Sequence, residues 1–305
     1  MEQSKTMQKL TPNLWFDTEA EEAAKFYVSV FDNSTLGTVT QYDPASAAVS
    51  DQPEGSVMTV AFELEGQEFV ALNGGPQFRF TPAVSFIVNC HTKEEVDQLW
   101  AELSDGGREH MPLDTYPFSD RYGWTEDKYG VSWQLMFDDD RPEQKIVPSL
   151  MFVGDQCGNA AEAISFYTSI FSESDVGEIT RYGPNEGPDE EGTVMFADIT
   201  IEGQRFVTMD SAREHDYGFS EAISFIVDCQ DQEEVDYFWD GLTENGGVKG
   251  QCGWLEDPYG VSWQIVPAVL SDILEEDAET SAQVTEALLQ MEKIDINGLR
   301  EAHAQ

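Results

Sequence analysis

The chain repeats itself, and this limits what it can fold into more than any other feature. Residues 83–107, AVSFIVNCHTKEEVDQLWAELSDGG, pair with residues 222–246, AISFIVDCQDQEEVDYFWDGLTENG, with identity at about half the positions. The match runs outward in both directions. AEEAAKFYVSVF at 20–31 answers AAEAISFYTSIF at 160–171, GSVM at 55–58 answers GTVM at 192–195, and GWTEDKYGVSWQ at 123–134 answers GWLEDPYGVSWQ at 253–264. Two domains follow, 8–138 and 146–267, with DDDRPEQK at 138–145 and its Pro142 as the linker. Residues 268–305 are left as a helical tail.

Each half reads as two β-α-β-β-β units, so the fold class is α+β. LTPNLWF at 10–16 has the aromatic alternation of a strand. Thr18 and Glu21 have capping-box spacing before a helix whose Ala20, Ala23, Ala24, Tyr27 and Phe31 share a face. Strands follow near 36–42, 56–64 and 68–73, with Glu65-Gly66 as a turn. A second unit opens with VSFIVNC at 84–90 and a helix capped by Thr92, with Asp231 in that role in the other half. Asp127-Lys128-Tyr129-Gly130 and Asp257-Pro258-Tyr259-Gly260 have the composition of type I turns. In the tail, Val284, Ala287, Leu288 and Met291 form an apolar stripe that Ile294, Ile296 and Leu299 continue, so this segment should pack against a barrel or a second chain.

Composition excludes several partners. Asp and Glu number 59 against 16 Lys and Arg, a formal net charge of −43. Such a surface repels nucleic-acid phosphates and anionic membranes. No apolar run approaches the roughly 20 residues that span a bilayer, and the start, MEQSKTMQKL, has no hydrophobic signal region. The chain reads as cytoplasmic. Its acids are spread along the whole length, which suits a salt-rich cytosol where screening reaches about 3 Å at 1 M; a surface aimed at a basic partner is the other reading. Cys90, Cys157, Cys229 and Cys252 are too few and too scattered for a disulfide scaffold.

With these motifs in hand, LWFDTEAEEAAKFYVSVF, GSVMTVAFELEGQEFVALNGGP, AVSFIVNC and GWTEDKYGVSWQ resemble the PhnB-like family of the vicinal oxygen chelate superfamily, whose name refers to 3-demethylubiquinone-9 3-methyltransferase. The superfamily includes glyoxalase I, extradiol dioxygenases and bleomycin-resistance proteins. The resemblance implies tandem modules curled into two open barrels around small-molecule clefts, the glyoxalase/bleomycin resistance/dioxygenase fold. Relatives of half this length pair as dimers, so the duplication implies an intrachain pseudo-dimer, with a further homodimer open.

The resemblance also implies where a metal would sit, and the residues there are poor ligands. First-strand positions fall near Thr11 or Pro12 and Val147 or Pro148, those of the next modules at Ala83 or Val84 and Ala222 or Ile223, and only Gln134 and Gln264 keep an oxygen donor. A divalent ion normally takes about three protein ligands, so no metal and no cofactor is expected. The candidate ligand-binding residues are Asn73 beside Gly74-Gly75, Trp124, Gln134, His215, Cys252, Trp254 and Gln264. Gln134 shares a strand face with Ser132 and Met136, which meets either solvent or a cavity. Each candidate also has a plain structural reading: a turn, a packed indole, a solvated histidine, an inert thiol. The stretch 108–121, longer than its counterpart VKGQ, reads as a lid or an insertion. No acid/base or nucleophile–base pair is legible, and catalytic residues stay unassigned. Two functions compete: a small-molecule enzyme, and a metal-free protein that sequesters aromatic or cationic ligands as bleomycin-resistance proteins do. Methyltransferase chemistry is not expected, since no glycine-rich strand-to-helix loop is present.

Overall fold

A computed structural model describes residues 8–140, 143–274 and 278–304; Arg141 and Pro142 of the linker and the first seven residues lie outside the described residues. Four modules are formed. The first contains β1 (Leu10–Phe16), α1 (Ala20–Val30), β2 (Thr35–Gln41), α2 (Pro44–Ser50), β3 (Val57–Leu64) and β4 (Gln67–Asn73). The second contains β5 (Val84–Cys90), α3 (Lys93–Leu103), β6 (Arg108–Tyr116), β7 (Ser119–Glu126) and β8 (Ser132–Phe137). The third runs β9 (Ile146–Phe152), α4 (Ala160–Ile170), β10 (Asp175–Arg181), β11 (Val194–Ile201) and β12 (Gln204–Asp210). The fourth runs β13 (Ile223–Cys229), α5 (Gln232–Thr243), β14 (Val248–Lys249), β15 (Trp254–Glu256) and β16 (Ser262–Pro267), and three tail helices follow: α6 (Val269–Leu274), α7 (Ala278–Leu288) and α8 (Ile296–His303).

The modules pair across the duplication. One eight-stranded sheet has the order β14-β15-β16-β13-β1-β4-β3-β2, and the other β10-β11-β12-β9-β5-β8-β7-β6. The first module therefore shares a sheet with the fourth, and the second with the third. At each junction the opening strands of two modules run antiparallel, β1 on β13 and β5 on β9. Two compact units follow from this pairing: one takes in residues up to 24, 35–77 and 223 onward, the other 25–34 and 78–222. They are a different partition of the chain from the repeats 8–138 and 146–267.

One face of each sheet is closed by helices. In the second unit Trp133, fully buried, meets Phe86, Tyr27 and Phe31 at ring-centroid distances of 5.5, 5.4 and 5.4 Å. In the first unit Trp263 packs on Phe225 at 5.5 Å, while α5 buries Val235, Phe238, Trp239 and Leu242. Trp100 of α3, at the position matching Trp239, is half-buried.

Local signals were followed in most places. Thr92 and Asp231 accept N–H bonds from Glu95 and Glu234 and cap α3 and α5. The turns close by bonds from Gly130 to Asp127 at 2.9 Å and from Gly260 to Asp257 at 3.0 Å. Glu65 and Gly66 both have positive φ, 51° and 82°, as a tight hairpin requires. One reading needs correction, and two gain detail. The helix after β1 starts at Ala20, with the Glu19 carbonyl accepting from Ala23, so Thr18 is not its cap. The stretch 108–121, read as a lid or an insertion, is added length relative to its counterpart and forms β6 and the start of β7, a bulged hairpin at the sheet edge. The tail is helical as expected, three helices among the described residues, with Val284, Ile294 and Leu299 buried together in the first unit.

Candidate functional site

Strand alternation brings Ser85, Ile87 and Asn89 of β5 to one face with Gln134 and Met136 of β8, Val147 and Ser149 of β9, and Val207 and Met209 of β12. That face lines the hollow of the second unit's curled sheet. A cavity of about 590 Å³ opens there. Its floor is apolar, with Ile87, Val147 and Val207 buried as a cluster and Met136 and Met209 packed on it. Tyr116 and Phe118, from the tip of the β6–β7 hairpin, and Phe196 of β11 form walls. Tyr116 stacks on Phe118 at 5.6 Å and Phe118 meets Tyr122 edge-on at 4.9 Å, while Phe118 stays 61% exposed. Asp120, Asp138, Asp139, Asp140 and Glu178 stand round the rim, and Arg205 pairs with Asp198 at 2.7 Å.

Further along the same face the polar groups gather. Gln134, buried, accepts from the Tyr122 hydroxyl at 2.6 Å and donates to the Ser85 hydroxyl at 2.8 Å. Ser149 lies directly across the β5–β9 junction from Ser85, and its buried hydroxyl has no partner among the described residues. Burial pushes the Tyr122 phenol up. The first unit repeats the pattern: Gln264 donates to Ser224 at 2.9 Å, Asn13 lies opposite Ser224, and the buried Asn13 Nδ2 is likewise unpartnered. Gln134 thus faces the enclosed side of the sheet, not solvent.

The other candidates have these places. Trp124 donates its indole N–H to Ser132 at 2.7 Å and packs on His110, 5.3 Å between centroids. Its counterpart Trp254 meets Trp15 edge-on at 5.9 Å. Asn73 accepts from the Ala20 N–H at 2.8 Å, donates to the Val57 carbonyl at 3.0 Å, and its own carbonyl receives the Tyr42 hydroxyl. It thereby caps α1, as Asp210 caps α4 through bonds from Gly158 and Ala160. The adjacent Gly74 makes room for the Trp15 indole, since a Cβ there would lie 2.2 Å from the ring. His215 is bonded to the Ser211 hydroxyl at 2.9 Å and packs on Tyr217, with burial and then Arg213 holding its imidazole below the ordinary value. Burial pushes the Cys252 thiol up, and it donates to the Leu288 carbonyl at 3.5 Å.

Asp127 was read only as a turn residue, yet it organises the second unit. Buried to 3% exposure, it accepts from the N–H groups of Tyr129 and Val131 on one oxygen and from the Tyr27 hydroxyl and the Trp133 indole on the other. Burial pushes its carboxyl up against the pull of those bonds. The repeated pattern Asp-x-Tyr-Gly-Val-x-Trp, also at 257–263, was the available signal.

As a metal site these residues fit poorly. The donors converging at the centre of the second unit's sheet, Ser85, Ser149, Gln134 and Tyr122, are all neutral, and the Gln134 amide is engaged at both ends. Among the described residues no three His, Cys, Asp or Glu side chains come together. Among the described residues no helix is long and apolar enough to cross a membrane.

Comparison with known proteins agrees with this fold. No curated protein matches the chain. Among solved structures, the PhnB protein of Bacillus cereus is 44% identical over 43% of this chain and 100% of its own, with a TM-score of 0.40. A protein from Staphylococcus aureus is 31% identical over 43% of this chain and 97% of its own, with a TM-score of 0.18. A glyoxalase I variant from Zea mays covers 88% of this chain and 96% of its own with a TM-score of 0.54 at 10% identity, a likeness of fold alone. The sequence family described as 3-demethylubiquinone-9 3-methyltransferase matches residues 8–136 and again 144–266. The chain belongs to this PhnB-like family, in two tandem copies on the glyoxalase-type fold.

Proposed function

We propose that the chain binds a small organic molecule in the hollow of the second unit, without a resident divalent ion. The observation that carries this reading is the hollow itself. Its 590 Å³ falls in the usual range for ligand sites, and it joins an apolar floor and aromatic walls to an acidic rim. The neutral donor set supports metal-free binding, since a divalent ion takes charged or imidazole ligands. The pairing of modules across the repeats supports reading the chain as a fused dimer.

A second reading, sequestration in the manner of bleomycin-resistance proteins, is favoured by the acidic rim over aromatic walls, which suits a flat cation. Candidate residues Gln134 and Trp124 then orient the ligand, with Gln264 and Trp254 their counterparts in the first unit. A catalysed reaction is not assigned, because the hollow presents no acid/base pair. Methyl transfer, which the family's description names, lacks support in the sequence for a nucleotide-like cofactor. The acidic composition supports a salt-rich cytoplasm as its setting and gives nucleic acid no cationic surface.

The test is a thermal-shift screen of aromatic amines and neutral aromatics in molar KCl, with elemental analysis of protein purified without an affinity metal. Ile87→Trp, which fills the floor, should abolish any shift seen with the unmodified chain. A shift unchanged in that variant removes the ligand from this hollow, and stoichiometric zinc, nickel, manganese or iron overturns the metal-free reading.

A further inference from the structure

The two hollows differ at one equivalent position. In the second unit Tyr122 shares the sheet face of Gln134 and Met136, and the tip of the long β6–β7 hairpin supplies the aromatic wall. In the first unit the corresponding hairpin is short, β14 and β15 together holding five residues, and Cys252 stands where Tyr122 does. The tail takes the wall's place. The N–H of Cys252 donates to the Met291 carbonyl at 2.7 Å, that of Gly253 to the Glu292 carbonyl at 2.8 Å, and the Cys252 thiol to Leu288. Gly253 is a close-approach position: a Cβ there would lie 2.6 Å from the Ile265 carbonyl and 3.0 Å from Ile294.

The tail is anchored on both borders of the sheet. Gln232 of α5 accepts from the Ile296 N–H at 2.9 Å and donates to the Ile294 carbonyl at 3.1 Å, and Lys293 bridges Asp236 and Asp240 at 3.1 Å each. At the far border α7 packs against α2, which joins the edge strand β2 to its neighbour β3. Between these anchors Val266, on the same strand face as Gln264, packs into the tail's cluster of Leu270, Ile273, Val284, Ile294 and Leu299. Its counterpart in the second unit, Met136, lines the open cavity.

The polar floor already described lies on the same sheet face as Val266. Asn13 is 2% exposed with an unpartnered Nδ2, flanked along its strand by Trp15, which meets Trp254. A buried donor left without an acceptor is destabilising. Its recurrence at the matching position of both units, as Asn13 and Ser149, is what a place for a ligand's polar atom leaves behind.

We infer that the tail helices α6, α7 and α8 form a tethered cover over a second, latent small-molecule hollow in the first unit. The molecule it would take is flat and aromatic with a hydrogen-bond acceptor, set against Trp15 and Trp254 with the acceptor on Asn13. For the open hollow this inference rests on the function proposed above; for the cover it does not.

Full-length chain in molar KCl tests it by two readouts: the rate at which Cys252 reacts with a neutral maleimide, located by mass spectrometry, and the stoichiometry of Nile red binding. In the unmodified chain Cys252 should react at least about 100-fold slower than after denaturation, and one dye should bind. Val284→Glu, which places a charge in the tail's core, should speed the Cys252 reaction at least about tenfold and raise the stoichiometry to two. Leu299→Glu repeats the test should the first variant leave the tail docked or fail to fold, docking being read by protease nicking within 278–303. Rapid labelling of Cys252 in the unmodified chain, two dyes bound there, or a freed tail without a gain in dye overturns the inference. No dye on the unmodified chain with one on Val284→Glu leaves the cover standing and overturns the open-hollow reading instead.

Discussion

The Asp127 carboxylate and the Trp133 indole are joined by a hydrogen bond of 2.9 Å across a turn of six residues. Because the same carboxylate holds the turn's own N–H groups and the Tyr27 hydroxyl, one side chain fixes the turn, the indole and α1 together.

Asp127→Asn keeps the shape and removes acceptor capacity, since an amide offers one oxygen where the carboxylate offers two. At least one buried donor is left facing an NH2 group, so the variant should lose about 2–4 kcal/mol, read as a lower urea midpoint with unchanged slope. An unchanged midpoint would show that the four bonds contribute nothing net.

Gly74→Ala should be costly for a different reason. The new methyl meets the Trp15 indole at 2.2 Å, and the indole is itself tied to the Gly75 carbonyl at 2.8 Å, so the ring must move and break that bond. A loss of about 2–4 kcal/mol and a shifted tryptophan emission are expected. Gly55→Ala, with nothing within 4 Å but φ at +79°, should lose only about 1 kcal/mol. Equal losses in the two variants would remove the indole from the account.

Burial pushes the Cys229 thiol up to about 12. Once unfolded, the thiol ionises near its ordinary value, so between about pH 9 and 12 the unfolded chain binds fewer protons than the folded one. Stability from this group is complete below that window and falls as pH rises through it, at up to about 1.4 kcal/mol per pH unit. Cys229→Ala should flatten the decline between pH 9 and 10, before unfolded tyrosines titrate. A decline as steep as that of the unmodified chain would assign it to other groups.

The net charge of −43 should make stability salt-dependent. Screening shortens from about 10 Å at 0.1 M to 3 Å at 1 M, which removes most of the repulsion between exposed acids. The melting temperature should rise by at least about 10 °C between dilute buffer and 2 M KCl, several kcal/mol for a chain of this size. A flat curve would refute the reading of its acidity.

What could be read in advance was local. Thr92, Asp231, the Glu65-Gly66 hairpin and the Asp127 turn act within a few residues, so spacing alone identified them. The partners of strands are set at a distance: nothing in LTPNLWF says that it will lie against VSFIVNC or against ISFIVDC. Gln134 could be assigned to a strand face, yet alternation does not tell which face is enclosed. The glycines beside Asn73 looked like room for a ligand, while the group filling that room was Trp15, about sixty residues away. Helix α2 was missed although Asp43, Pro44 and Ser46 form a proper capping start. The stretch 108–121 was legible as added length but not as paired strands, because Pro112 and its bulges break the alternation that marks a strand.

Exchange of modules between the repeats also sets an order of events during synthesis. All eight strands of the second sheet lie between residues 84 and 210, so that sheet can close while the last quarter of the chain is still unmade. Strand β1, emerging first, must wait more than two hundred residues for β13. The first and fourth modules therefore reach their final arrangement together, and the nascent first module spends that interval with one border bare.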